Sequence, residues 1–102
     1  MFRDRRDRLA RMAYMDPQLD LTEAAQEELE RACALSRRDM AACTPWGDTY
    51  EGYTPAGREV CFERNYLWVG EQGGDICVEV VVYFPEAYES GVRVTRTVGR
   101  EE

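Results

Sequence analysis

The sequence predicts an α+β fold in which one or two N-terminal helices precede a three-stranded antiparallel meander, with a helix packed on one sheet face. Three observations predict it. Apolar residues recur with a helical period of about 100° per residue over residues 20–39. Apolar and polar residues alternate over 58–69, 75–84 and 92–98, as in half-buried strands. Short glycine-containing connections join these three runs, which favours antiparallel neighbours.

Length and composition favour one folded domain. The chain has 102 residues, of which 44% are hydrophobic and 11% aromatic, enough for one small core. No apolar run approaches the roughly 20 residues that a membrane-spanning helix needs. The N-terminal arginines are not followed by the apolar segment of a secretory signal. We therefore expect a cytoplasmic protein with no membrane partner, composed of a basic N-terminal arm or helix at 1–15 and a single α+β domain at 16–102.

The charges divide the chain into a basic arm and an acidic body. All 13 basic residues are Arg, and 20 carboxylate side chains bring the net charge to −7. Residues 2–15 hold five Arg against two Asp, so the excess of acid lies in the rest of the chain. The chain has no Lys and no His, and only one Ile and one Asn. Because Lys, Ile and Asn have A/T-rich codons, this usage indicates a GC-rich bacterial or phage source.

One or two helices are expected before the strands. Residues 2–15 form an arginine-rich, weakly amphipathic segment that ends before Pro17, because the residue preceding a proline is disfavoured in the α region. The second helix begins with Asp20 or Thr22 as its N-cap and ends near residues 39–43. The apolar stripe of this helix consists of Leu21, Ala25, Leu29, Ala32, Cys33 and Leu35.

The three strands are expected to share one apolar face. A five-residue turn at 70–74 sets Trp68 opposite Ile76, whereas a slip of one residue would bring charged side chains onto that face. The second hairpin is predicted to pair Phe84 with Val92. The predicted sheet core consists of Val60, Phe62, Tyr66, Trp68, Ile76, Val78, Val82, Phe84 and Val94.

Three charged residues interrupt the apolar patterns. Arg64 and Arg96 fall on the apolar face of the predicted sheet, on either side of Val80, and Glu28 falls on the apolar stripe of the helix. Buried charge without a partner is very unfavourable. We therefore predict that Glu28 pairs with Arg64 or Arg96 beneath the helix. The same three residues could instead form a site for an external anion.

Several chemistries lack the residues that they need. Without His, no Ser-His-Asp or Cys-His arrangement can form. No glycine-rich phosphate loop ends in Lys, and the glycines at 70–74 lie in a hairpin turn. The four cysteines, Cys33, Cys43, Cys61 and Cys77, lack the close pairing of a zinc site. We expect no catalytic residue, metal or cofactor, and free thiols rather than disulfides.

Binding of a basic protein is the function that this composition favours. Residues 45–57 are predicted to be a loop because Gly, Pro and aromatic residues are concentrated there, and Trp and Tyr are frequent in interface hot spots. Acidic side chains repel phosphates, so we expect no strong direct nucleic-acid binding. The expected partner-binding residues are Glu23, Glu27, Glu30, Trp46, Asp48, Tyr50, Glu51 and Tyr53.

The leading hypothesis is a small acidic, non-catalytic inhibitor, encoded by a phage or plasmid, that acts on a basic nucleic-acid-binding complex as a DNA mimic or in the manner of an anti-CRISPR protein. Two alternatives stay open. The first is a small enzyme, or a binder of an anion or small ligand, that uses Arg64, Arg96 and Glu28. The second is a homo-oligomeric structural protein, for example a homodimer, that pairs through its edge strand at 92–98.

Overall fold

The structure, a computed structural model, describes residues 15–101. Its elements are α1 (Pro17–Ala32), α2 (Arg37–Cys43), β1 (Trp46–Tyr53), β2 (Glu59–Val69), β3 (Asp75–Tyr83), a 3-10 turn (Tyr88–Ser90) and β4 (Val92–Val98). The strands form one antiparallel sheet in the order β1-β2-β3-β4. The predicted α+β class and the packing of a helix on the sheet are confirmed. The basic arm predicted at 1–15 lies outside the described residues except for Met15.

The prediction of three strands is wrong, because the segment predicted to be a loop at 45–57 contains β1. This strand pairs with β2 along its whole length. Gly52 lets the two strands approach, since a Cβ at that position would lie 2.8 Å from the ring of Phe62. Gly57, with a φ of 93°, is in the left-handed region and belongs to the hairpin turn that joins β1 to β2. The turn-forming residues therefore mark one hairpin rather than a long loop.

The first helix begins earlier than predicted. Asp16, rather than Asp20 or Thr22, is the N-cap, and its carboxylate accepts a hydrogen bond of 2.9 Å from the backbone N–H of Gln18. Pro17 occupies the first helical position, where its missing N–H costs no helical hydrogen bond. Asp20 is thereby moved into the body of the helix, where it is fully buried.

The predicted second helix is two helices. α1 ends at Ala32, and Ser36 caps α2 by accepting a hydrogen bond of 3.1 Å from the backbone N–H of Asp39. Leu35 was predicted to lie on the buried stripe but falls in the break and is 42% exposed. Neither helix in the described range is long and apolar enough to span a membrane.

The core lies between α1 and the helix-facing side of the sheet. The predicted β2–β3 register is confirmed, with Trp68 opposite Ile76 and Phe62 opposite Val82. Six of the nine residues of the predicted sheet core are buried, and the other three, Trp68, Phe84 and Val94, are partly buried at its margin. The buried residues are Leu21, Ala24, Ala25, Leu29, Ala32, Met40, Val60, Phe62, Tyr66, Ile76, Val78, Val80, Val82 and Val98.

The predicted β3–β4 register is wrong by two residues. Val92 pairs with Val82 rather than with Phe84. The β3–β4 connection contains the 3-10 turn Tyr88–Ser90. This turn makes the connection longer than the predicted one, so the strands begin to pair farther from it. Gly91 then lies against β3, where a Cβ would be 2.8 Å from the carbonyl oxygen of Val82. Because the shift is an even number, each side chain keeps its face but changes its cross-strand neighbour.

Asp20 joins α1 to the turn between β1 and β2. Its carboxylate accepts hydrogen bonds from the Thr54 hydroxyl, from the backbone N–H of Ala56 at 3.2 Å and from the Arg58 guanidinium at 2.9 Å. Arg58 also donates to the Met15 carbonyl at 2.9 Å. The buried charge therefore has an opposite charge and two further donors, which is the condition under which burial of a carboxylate is tolerated.

Asp20→Asn is expected to lower the free energy of unfolding by about 3–5 kcal/mol, because an uncharged amide at this fully buried position replaces one accepting oxygen with a donor and removes the charge that is paired with Arg58. Urea denaturation at neutral pH measures this. Asp16→Asn is the matched control: it should change stability by less than about 0.5 kcal/mol, because Asn and Asp cap helices about equally well. Similar losses for the two variants would show that the Asp20 contact is no more than a surface interaction.

Candidate functional site

Glu28 is the second buried carboxylate of α1, and both of its oxygens are occupied. Oε1 accepts from Nε and Nη2 of Arg31, at 3.0 and 2.7 Å. Oε2 accepts from Nη2 of Arg64 at 2.5 Å and from the Tyr50 hydroxyl. The structure thus brings Glu28 together with Arg64, as the interrupted apolar patterns suggested. We call Glu28, Arg31, Tyr50 and Arg64 the Glu28 cluster.

Sequence reasoning missed two members of the Glu28 cluster. Arg31 lies outside the predicted apolar stripe of the helix, although its spacing of three residues from Glu28 is one at which helical side chains meet. Tyr50 was assigned to a loop. Its ring in fact stacks on Phe62, with centroids 5.4 Å apart, so its hydroxyl is directed toward the helix. Only recognition of β1 as a strand would have predicted that Tyr50 lies beside Glu28.

The cluster keeps Glu28 ionised and Tyr50 protonated. Burial raises the pKa of Glu28, but hydrogen bonds from Tyr50, Arg31 and Arg64 outweigh it and hold the pKa below the ordinary 4.5. Burial, together with the hydrogen bond to Glu28 and its charge, raises the pKa of Tyr50 to about 12. These shifts move both groups away from neutral pH, so neither is suited to general acid–base chemistry there.

Arg96 lies outside the Glu28 cluster. The predicted row with Arg64 and Arg96 on either side of Val80 is wrong, because Val94 takes that place in the observed β3–β4 register. Arg96 is instead exposed on the edge strand near Cys33. Burial raises the pKa of the Cys33 thiol, and the charge of Arg96 opposes this rise. The three residues proposed for an anion site therefore do not converge.

All four cysteines are free thiols of intermediate burial. Within residues 15–101, no group of three or more Cys, His, Asp or Glu side chains is arranged to hold a metal ion. The thiols are also divided by the sheet, since Cys61 and Cys77 lie on strand faces turned away from α1. Within the described range, the cysteines thus do not form a metal site.

One face of the sheet is left without a helix among the described residues. In β3 the even-numbered residues are buried against α1, whereas the odd-numbered ones are only partly buried. The registers of all three strand pairs join odd-numbered residues to odd-numbered residues, so these share a face across the sheet. We call the odd-numbered residues of β1–β4 the open face. Among residues 15–101, no helix packs against this face.

The open face is strongly acidic. Its only basic side chain is Arg93, which forms an ion pair with Glu79. Glu79 also accepts a hydrogen bond of 2.9 Å from Asn65. The carboxylates of this face are Glu51, Glu59, Glu63, Asp75 and Glu79. Five carboxylates against one guanidinium give the face a net charge of about −4 at neutral pH.

Apolar and aromatic side chains lie among these carboxylates. Tyr53 is 67% exposed, Val69 48% and Leu67 43%. Tyr53 also lines a shallow cavity of about 210 Å³ with Glu51, Gly52 and Glu59, at the end of the sheet near the β1–β2 turn. Two carboxylates beside a phenol ring are chemically suited to an arginine or lysine side chain.

The residues predicted to bind a partner are divided among three surfaces. Glu23, Glu27 and Glu30 lie on α1, with Glu27 and Glu30 exposed. Trp46, Asp48 and Tyr50 lie on the helix-facing side of β1, where Trp46 is 41% exposed and Tyr50 belongs to the Glu28 cluster. Glu51 and Tyr53 lie on the open face. Sequence reasoning identified these two but missed Glu59, Glu63 and Asp75 as their companions.

No protein-family model, curated protein or solved structure matches the chain. The chemistry of the open face and of the Glu28 cluster is therefore the basis for assigning a function.

Glu28→Gln should lower the free energy of unfolding by about 3–5 kcal/mol, because it leaves the half-buried Arg64 facing a neutral amide. Urea denaturation at pH 7 measures the loss. Glu27→Gln, one residue earlier and exposed, should cost no more than about 0.5 kcal/mol. A loss below about 1 kcal/mol for Glu28→Gln would mean that water screens the cluster as it screens surface ion pairs.

The Glu28 cluster should also make stability depend on pH at the alkaline end. The pKa of Tyr50 rises from 10 in the unfolded chain to about 12 in the folded protein, so the folded state holds the proton more tightly. Its contribution is complete below pH 10 and is lost as the pH rises toward 12. Denaturation from pH 9 to 12 should therefore show a shallower decline for Tyr50→Phe than for the wild type. Tyr53→Phe, on the open face, should retain the wild-type decline.

Proposed function

We propose that the protein is a non-catalytic binding module whose open face binds a basic nucleic-acid-binding protein and blocks its nucleic-acid site. The observation that carries the proposal is the composition of the open face, with five carboxylates and one arginine on a sheet surface that no described helix covers. Such a face attracts a partner whose arginines and lysines are arranged to bind phosphates.

The charge of the whole described chain supports a basic partner. Residues 15–101 hold 8 arginines against 17 carboxylate side chains. Asp20 and Glu28 are buried and paired within the fold, so they contribute little to the external field. The other carboxylates lie at or near the surface, where they favour fast, salt-sensitive association with a positively charged protein.

The apolar side chains of the open face supply contact area in addition to charge. Leu67, Val69 and Tyr53 are exposed, and Val81 and Tyr83 are half-buried between the strands. Protein interfaces combine such an apolar component with polar contacts that determine orientation. The cavity beside Tyr53 is a suitable place for one guanidinium of the partner, because carboxylates and an aromatic ring line the same space.

An enzymatic function receives no comparable support. Glu28, the carboxylate that sequence reasoning considered for a small enzyme or anion binder, has both oxygens occupied by side chains of its own chain. Arg31 and Arg64 both pair with this carboxylate, so the charge of Glu28 is neutralised within the chain. We assign the Glu28 cluster to the stability of the fold.

Competition with DNA tests the proposal. A core-histone dimer serves as the probe, because it is a basic protein with a DNA-binding surface. The full chain should bind this dimer at 50 mM salt, displace a labelled DNA duplex from it, and lose affinity steeply as salt is raised. Glu59→Arg combined with Glu63→Arg should abolish the displacement, because both residues lie on β2 in the open face.

Glu27→Arg combined with Glu30→Arg is the matched control, with the same change in net charge on the exposed side of α1. It should retain most of the competition. Equal losses for the two double variants would mean that overall charge, rather than the open face, determines binding. Absence of displacement by the wild type at 50 mM salt would also contradict the proposal, as would tight binding of the chain itself to DNA.

A further inference from the structure

The two edge strands of the sheet carry charges of opposite sign. β1 has Asp48 and Glu51 and no basic residue, whereas β4 has Arg93 and Arg96 and no acidic residue. Neither edge is covered by another strand among the described residues. An uncovered edge presents backbone N–H and C=O groups that no neighbouring strand binds, which makes it a template for pairing with another chain. On β1 the Thr49 N–H donates to the Asp48 carboxylate at 2.8 Å, a bond that pairing with a second copy would replace. We propose that β1 of one copy of this chain pairs antiparallel with β4 of a second copy.

One antiparallel register satisfies both pairs of charges. In an antiparallel pair, a step of three residues forward on one strand corresponds to a step of three residues back on the other. If Asp48 lies opposite Arg96, Glu51 therefore lies opposite Arg93. The overlap is seven residues, which is the whole of β4. The Nε–H of Arg93 donates to Glu79 of the same copy, so the other N–H groups of this guanidinium would donate to Glu51 of the second copy.

The uncharged pairs of this register are also compatible. On the helix-facing side, Trp46 meets Val98 and Tyr50 meets Val94, both aromatic–aliphatic pairs that stabilise sheets. On the open face, Thr49 lies opposite Thr95. A shift of two residues in either direction places neither acid opposite an arginine. The charges therefore select one register among those that keep the side chains on their faces.

The backbone can follow the same register. In an antiparallel sheet, successive residues direct their N–H and C=O groups alternately toward one neighbouring strand and the other. All three registers within the chain pair even-numbered residues with even-numbered residues. Consequently, the residues whose backbone N–H and C=O groups point away from the sheet are either odd-numbered in both β1 and β4 or even-numbered in both. The joined sheet would continue the existing hydrogen-bond pattern and keep the helices of both copies on one side.

Pairing of identical edges is disfavoured by the same charges. Two β1 strands side by side would bring acidic side chains together, and two β4 strands would bring arginines together. Like charges on neighbouring strands are destabilising. The association is thus head-to-tail, a type that closes into a ring or extends as a chain of copies. It uses the strand edges and does not rest on binding of a basic protein to the open face.

Disulfide trapping of the full chain tests the register. In the double variant Thr49→Cys and Thr95→Cys, mild oxidation should yield intermolecular links between positions 49 and 95, identified by mass spectrometry of tryptic peptides. Within one copy these positions lie on opposite sheet edges, about 14 Å apart by strand spacing, too far for a disulfide. Thr49→Cys with Thr97→Cys is the control, and should link several-fold less because the positions are offset by two residues. Wild-type protein measures the background from the four native cysteines.

Charge reversal tests the cause of the association. Asp48→Arg alone and Arg96→Asp alone should each weaken self-association by about tenfold in sedimentation velocity, and an equimolar mixture of the two should restore it. Circular dichroism checks that each variant is folded. Links between two positions 49 or two positions 95 would overturn the proposal in favour of same-edge pairing. A wild-type chain that stays monomeric and unlinked at several hundred micromolar would also overturn it.

Discussion

Two buried carboxylates on one helix determine how this small sheet is covered. Asp20 and Glu28 are eight residues apart, about 12 Å along the axis of α1. Asp20 binds the β1–β2 turn, and Glu28 binds Tyr50 of β1 and Arg64 of β2. The same helix meets β3 and β4 through apolar side chains. Apolar contacts with valines leave several helix positions similar in energy, whereas paired buried charges tolerate little displacement. We infer that these carboxylates fix α1 on one face and so leave the other face open.

The sequence predicted the parts of the fold in which a buried pattern constrains the chain. Strict alternation in β2 and β3 left a single register that kept Trp68 and Ile76 together, and the misplaced Glu28 pointed to an ion pair. β1 escaped notice because most of its side chains are exposed and its glycines allow close approach rather than a turn. The β3–β4 register was predicted wrongly because the 3-10 turn before Gly91 lengthens the connection, and the alternation of apolar residues does not indicate the length of a connection.

The acidic residues form two groups, buried ones that stabilise the fold and open-face ones that we propose bind a partner. The buried carboxylates are matched by arginines or hydrogen-bond donors within the chain. On the open face, one arginine accompanies five carboxylates, and that arginine is already paired with one of them. An excess of charge on a surface that the fold leaves uncovered is better suited to an external partner than to internal stability. The sequence could supply the total charge, but assigning these carboxylates to one face required the β1–β2 and β2–β3 registers.

Methyl NMR of the full chain bound to a core-histone dimer tests most directly whether the open face is the recognition surface. Leu67 and Val69 are exposed on that face, whereas Leu19 and Leu35 are comparably exposed in or beside α1. We expect the methyl resonances of Leu67 and Val69 to shift and broaden on binding while those of Leu19 and Leu35 stay unchanged. Perturbation confined to Leu19 and Leu35 would contradict the account, because it would place the partner on the helical side of the molecule.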